Sequence, residues 1–293
     1  MKIFTAFLLM ILTALPLAVS AAARPTASID PTTVAQVDMP VTLAAGDYSL
    51  LGFVLDFPTG AGIPEHVHGG PVVVTVLEGN ITLQENGTER TVQTGDTFLE
   101  PVGRKHAVIN RGTTNCRLAG AEMLPKGAAD TTLVGDSGGA APPTDPTTVA
   151  QVEYPITIAS GNYDLLGFVL DFAPGAGIPL HIHGGPVALM ALDGTLSLEE
   201  NGTERALHTG DTFLEPVGHR HAVINRSTLN FRLAGAELLP KGAADTTLVN
   251  TATPGMPSTG AGSADRLLPW ILAMCWLVLA AGVIARSWRP VSH

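Results

Sequence analysis

The chain has 293 residues and a formal net charge of −10, with 16 Lys and Arg against 26 Asp and Glu. That balance excludes a nucleic-acid partner, which would need a basic stripe, and no Lys/Arg run of the needed length occurs. The two cysteines, Cys116 and Cys275, do not make a disulfide framework, because the second lies inside an apolar terminal run. Stability therefore has to come from a packed core or from metal.

At the N-terminus, Lys2 precedes an almost wholly apolar stretch from Ile3 to Val19, and Ser20-Ala21-Ala22-Ala23 supplies small residues before Arg24-Pro25. Residues 1–23 read as a secretory signal peptide, with an uncleaved anchor as the alternative.

The middle of the chain is an internal repeat. Asp30-Pro31-Thr32-Thr33-Val34-Ala35-Gln36-Val37 returns as Asp145-Pro146-Thr147-Thr148-Val149-Ala150-Gln151-Val152, and the offset of 115 residues holds throughout with no insertion. Roughly seven in ten positions are identical between residues 30–134 and 145–249, which marks a duplication. The sequence thus divides into a first domain over 24–134, a Gly/Ala/Pro-rich linker over 135–144 and a second domain over 145–249.

Within each copy the pattern is strand. Apolar runs such as Tyr48–Phe57, Pro71–Leu77, Ile81–Gln84 and Arg117–Leu124 are separated by Gly, Pro and Asn-Gly. Asn86-Gly87 and Asn201-Gly202 predict tight hairpin turns, and with the following Thr they also match the glycosylation acceptor pattern. No stretch of the repeat keeps a helical apolar period. The expected fold class is all-β, a sandwich or jelly roll in each copy.

After the second copy, a linker over 250–264 leads to an uncharged apolar run, 267–285, long enough for one transmembrane helix. Arg286 and Arg289 in the 286–293 tail place that tail in the cytoplasm and the repeats outside. Met256-Pro257-Ser258-Thr259-Gly260 resembles the LPxTG sorting signal, with Met in place of Leu. That resemblance implies sortase cleavage and attachment to the cell wall; a simple membrane anchor is the alternative.

The chemistry lies in the histidines. His66-Val67-His68 sets two imidazoles on one face of a strand, and His106 follows about forty residues later; the second copy gives His181, His183 and His221. Neutral imidazole is a ligand for zinc, copper, iron and nickel, and three of them leave positions open for water or substrate, unlike closed four-ligand structural sites. The other reading is packed, hydrogen-bonded core histidines, against which all six persist while neighbours such as Glu65/Leu180 and Arg104/His219 differ. His208 and His219 have no histidine counterpart in the first copy and need no special role.

Gly60-x5-His66-x-His68-x10-Gly79 and Gly95-x5-Pro101-x-Gly103-x2-His106-x3-Asn110 resemble the two cupin motifs, and both recur between Gly175 and Asn225. The resemblance covers essentially all of residues 30–249 and implies a bicupin: two tandem cupin jelly-roll β-barrels, each with a metal inside. One position departs from the pattern, because the glutamate that usually follows the second His by four residues is Val72 here and Val187 in the second copy. Glu100 and Glu215, just before the Pro-x-Gly turn, are the candidates to replace it. If Phe98 points inward, alternation turns Glu100 inward too, either as a further ligand or as an acid that orients a ligand imidazole. Val72, Val74 and Val76, with Val187, Leu189 and Ala191, are expected to form an apolar inner wall.

Three readings of function follow. The first is a metal-dependent oxygenase resembling quercetin- or diketone-cleaving cupins, holding Fe, Mn, Ni, Cu or Zn and acting on a small phenolic or enol-type substrate at the cell surface. The second is a non-catalytic module that binds metal or a small ligand, for which duplication adds avidity. The third is a purely structural metal. Exposed barrel edges leave room for a homodimer. Cys116 aligns with Phe231 and reads as core packing.

Overall fold

The structure is a computed structural model that describes residues 30–134 and 144–249. The expected signal peptide, residues 135–143 of the first linker, the second linker with its sorting-like motif, the transmembrane run and the basic tail lie outside the described residues. Among the described residues there is no helix, and so none long and apolar enough to cross a membrane.

The first copy supplies ten strands: β1 (Thr32–Leu43), β2 (Gly46–Phe57), β3 (Gly62–His68), β4 (Val72–Glu78), β5 (Asn80–Glu85), β6 (Thr88–Gln93), β7 (Thr97–Glu100), β8 (His106–Ile109), β9 (Cys116–Pro125) and β10 (Thr131–Leu133). The second repeats them as β11 (Thr147–Ile158), β12 (Gly161–Phe172), β13 (Gly177–His183), β14 (Val187–Asp193), β15 (Thr195–Glu200), β16 (Thr203–His208), β17 (Thr212–Glu215), β18 (His221–Ile224), β19 (Phe231–Pro240) and β20 (Thr246–Leu248). They form four antiparallel five-stranded sheets, two to a jelly roll. The Asn-Gly hairpins take the expected form: Asn86 (φ 51°) and Gly87 (φ 74°) are both left-handed, as a type I′ turn between β5 and β6 requires.

The two copies are less separate than their sequence boundaries suggest. In the first jelly roll one sheet runs β11-β2-β9-β4-β7 and the other β10-β3-β8-β5-β6; in the second they run β1-β12-β19-β14-β17 and β16-β15-β18-β13-β20. The first strand of each copy therefore completes the other copy's sheet. β1 pairs with β12 from Thr32↔Asp171 to Leu43↔Gly161, and β11 pairs with β2 from Thr147↔Asp56 to Ile158↔Gly46.

Strand alternation sorts the side chains into three cores. Along β2, Phe53, Leu55 and Phe57 enter the first barrel, while Leu50 and Val54 join the layer between the barrels. Along β4, Val72, Val74 and Val76 point inward as expected and Val73 points to the partner barrel; Val187, Leu189 and Ala191 do the same in the second. Burial on both faces is why this strand is apolar along most of its length, with Thr75 the one polar residue among its buried positions. The sheets approach closely at Gly52, where a Cβ would lie 3.1 Å from Val152 Cγ1 and 3.2 Å from Met190 Cε. Cys116 is fully buried and its thiol is pushed up to about 12, first by burial, which leaves it a packing residue.

Candidate metal centres

β3 and β8 are neighbours, and their register sets His66 opposite His106; His68, two residues on, shares that face. In the second copy His181 pairs with His221 in the same way. The imidazole centroids lie 4.1–5.3 Å apart in the first copy, and one ring nitrogen from each of the three falls within 4.8 Å of the others, as also in the second copy.

The backbone fixes how each ring is turned. His66 Nδ1 donates to Pro64 O (2.7 Å), His106 Nδ1 to Arg104 O (3.0 Å) and His68 Nδ1 to Asp130 O (3.1 Å). The same three bonds recur at His181, His221 and His183. With every Nδ1 engaged, each Nε2 is aimed at the common centre, the arrangement that orients imidazoles around a metal. His66 Nε2 and His68 Nε2 come within 3.2 Å of each other, a hydrogen bond while the His68 ring is protonated and a place where a cation can replace that proton.

Glu100 enters from the facing sheet. On β7 Phe98 and Glu100 are buried while Thr97 and Leu99 are exposed, so the inward turn expected of Glu100 is present. Its carboxylate lies 2.8 Å from His106 Nε2 and 3.2 Å from His68 Nε2; Glu215 lies 2.9 Å from His221 Nε2 and 3.0 Å from His183 Nε2. His106 Nε2 and His221 Nε2 are buried with no partner in hydrogen-bonding geometry despite these short distances. Three imidazole nitrogens gathered together, one of them buried without a partner and with a carboxylate beside it, fit a transition-metal ion.

The electrostatics divide the triad. Burial, helped by His106, pushes His66 down to about 4, so it is a neutral ligand at pH 7. Against the same burial, Asp130 and Glu100 lift His68 to about 10, and His106 and His68 hold Glu100 down to about 2 although it is fully enclosed. Copy two repeats the pattern at His181, His183 and Glu215.

Reading the sequence alone missed a second carboxylate. Val72 pairs with Glu100 on β7 on one side and with Glu122 on β9 on the other; Val187 stands likewise between Glu215 and Glu237. The position that lacks its glutamate is thus flanked by two. Burial first, then the nearby Asp130 or Asp245, pushes Glu122 and Glu237 up to about 9. The signal was a lone Glu in the otherwise apolar Leu118–Leu124 stretch, kept in both copies. Asn110, the last residue of the second motif, serves structure: its Nδ2 donates to Phe57 O (2.7 Å) and Thr114 O (2.8 Å).

The cupin domain family matches the chain twice, at residues 53–121 and 168–234. No curated protein matches it in sequence. Its fold is similar to that of a 7S globulin from Momordica charantia (TM-score 0.51, 11% identity, covering 72% of this chain and 84% of that one). It is also similar to vicilin from Solanum lycopersicum (0.51, 12%, 68% and 77%). A salicylate 1,2-dioxygenase from Pseudaminobacter salicylatoxidans aligns at a TM-score of 0.43 (15%, 64% and 70%). The cupin domain family thus matches one segment of each jelly roll in tandem, and each jelly roll holds one histidine triad.

Proposed function

We propose that this chain is an exported, surface-anchored bicupin in which His66, His68 and His106, and His181, His183 and His221, hold a divalent transition metal, with Glu100 and Glu215 as fourth ligands. Each centre then acts as an oxygenase on a small phenolic or enol-type molecule. The observation that carries the reading is the convergence of three imidazole nitrogens in each copy, with a carboxylate set against two of the three rings. When bound, an ion there supplies Lewis acidity and, if redox-active, electrons for dioxygen chemistry.

The chain's own residues do the rest. His66 and His106 are buried, while the His68 side chain is 10% exposed, so that edge is the side from which a ligand approaches. Glu100 reduces the net charge of the centre and holds His68 and His106 in place. Val72, Val74 and Phe98 exclude water and favour an apolar or aromatic body beside the metal. Export and anchoring rest on the signal-like N-terminus, the apolar 267–285 run and the basic tail that follows it.

The near-identity of the two copies favours a second reading, a non-catalytic module that binds metal or a small ligand through two sites joined for avidity. Metal analysis of the purified protein, then oxygen uptake with flavonols, catechols and diketones, separates the two. Bound metal with turnover supports the oxygenase, and bound metal without turnover supports the module. A metal-free protein that takes up none of the transition metals overturns the oxygenase and the metal-binding form of the module.

A further inference from the structure

Glu122 and Asp130, with Glu237 and Asp245, stand on the other edge of the same imidazoles and have no part in the triads. In each copy a carboxylate oxygen of the Glu, one of the Asp and a ring nitrogen of His68 or His183 lie within 4.8 Å of one another. The Nε2 edge of the ring faces the triad. Its Nδ1 edge lies 3.5 Å from the Asp Oδ1 in both copies.

Acidic residues gather on many protein surfaces, but this pair is built differently. Glu237 is 0% exposed, and neither of its carboxylate oxygens has a hydrogen-bond partner. Its counterpart Glu122 accepts one bond, from Gly70 N at 3.1 Å. Burial beside a second carboxylate makes the charged form of the Glu costly, so without a cation it holds a proton. A cation takes the place of that proton and offsets the charge of both acids at once. The way in is open, because the Asp130 and Asp245 side chains are 56% and 54% exposed.

We propose that each barrel has a second divalent-cation site: Glu122, Asp130 and His68 Nδ1 in the first, Glu237, Asp245 and His183 Nδ1 in the second. One imidazole then joins two ions, Nε2 towards the triad and Nδ1 towards the acidic pair. Loading both sites displaces the Nδ1 proton now donated to the Asp backbone carbonyl, the Nε2 proton of the charged ring and the proton on the buried Glu, so the ring becomes an imidazolate and all three protons pass to solvent. Two carboxylates and one nitrogen suit an ion that accepts both donor types, Mn2+ in the first instance. The site shares His68 and His183 with the triads proposed above but none of their other ligands.

The test is Mn2+ stoichiometry on the full chain, stripped with chelator, reloaded and measured by elemental analysis against protein concentration. Four clusters predict four ions per chain. Glu122→Gln/Glu237→Gln lowers that to two, and so does Asp130→Asn/Asp245→Asn, which alters only half-exposed side chains and spares the core. His106→Ala/His221→Ala removes the triad ions and also leaves two. Two ions in the unmutated chain, kept by both acidic variants and lost in His106→Ala/His221→Ala, overturn the second site and uphold the first. Two ions lost in the acidic variants but kept in His106→Ala/His221→Ala uphold the second site and overturn the triads.

Discussion

Replacing Glu100 by Gln tests the centre most directly, because the side chain keeps its shape and loses only its charge. In the metal-free protein Glu100 is a 4%-exposed carboxylate set against two imidazoles at 2.8 and 3.2 Å, one of them, His68, protonated at pH 7. Removing one member of a buried ion pair leaves the other uncompensated, at a cost of about 3–5 kcal/mol. The amide retains one hydrogen-bonding oxygen, so the lower figure, about 3 kcal/mol, applies. For a folded unit of this size each kcal/mol moves the midpoint by about 2–4 °C, so the chelated variant should melt roughly 6–12 °C lower. Metal affinity should also fall, by more than the 10–100-fold typical of residues that merely orient a ligand. Calorimetric melting in chelator and Mn2+ titration measure the two effects, and Glu215→Gln repeats the experiment in the second barrel. A melting point within about 1 °C of the unmutated protein, together with an affinity within about threefold, would refute the placement of Glu100 in the centre.

Three further outcomes follow from the same geometry. Glu237 ordinarily titrates near 4.5 and is raised to about 9 in the fold, so the folded chain holds its proton across that window while the unfolded chain releases it. Metal-free stability therefore falls as pH rises from about 5 to 9, by up to about 1.4 kcal/mol per pH unit for this group, and Glu237→Gln should flatten the slope in a series of melts; equal slopes would contradict it. Asn110→Ala strands the buried Phe57 carbonyl and the partly buried Thr114 carbonyl and should cost about 1–3 kcal/mol in urea unfolding while leaving metal content unchanged, whereas lost metal would move Asn110 into the centre. A protease site inserted within residues 135–143 should, once cut, leave the two halves co-eluting on size exclusion, since β1 and β11 each cross to the other half; separation would refute the exchange.

The strand exchange marks the limit of what the repeat alone reveals. Identity at a constant offset showed two equal units, and alternation in Tyr48–Phe57 and in the Val72 strand showed which side chains face inward. Neither can say which copy a strand pairs with, because at roughly seven in ten identical positions β1 suits β2 as well as it suits β12. The choice lies with the layer between the barrels. Val37 and Met39 from β1 and Val152 from β11 pack there with Leu50, Leu165 and Met190, and that burial is gained when each first strand lies on the other sheet. Such a layer is non-local, and local pattern does not encode it.

The centre was legible to the extent that its ligands sit on neighbouring strands at fixed spacing. His66 and His68 are two apart, so the period of a strand puts them on one face, and the second motif brings His106 opposite. The carboxylates were harder because they come from across the barrel. A glutamate missing at Val72 leaves a gap in the linear motif, but a sheet is read sideways as well as along the chain. The residues hydrogen-bonded on either side of Val72 present their side chains to the same interior, so a carboxylate moved one strand over, to Glu100 or to Glu122, reaches nearly the same point. Glu100 could be found from its sequence because it precedes the turn into His106 and alternates with Phe98. Glu122 stands out as the lone charge of an apolar strand, but only the β4–β9 register shows that it faces the same interior as Glu100. The same register makes the centres differ from a three-histidine, one-glutamate arrangement in a way that sequence spacing cannot express: each has an acid on both sides of the vacated position, one ionised against the imidazoles and one held protonated by burial.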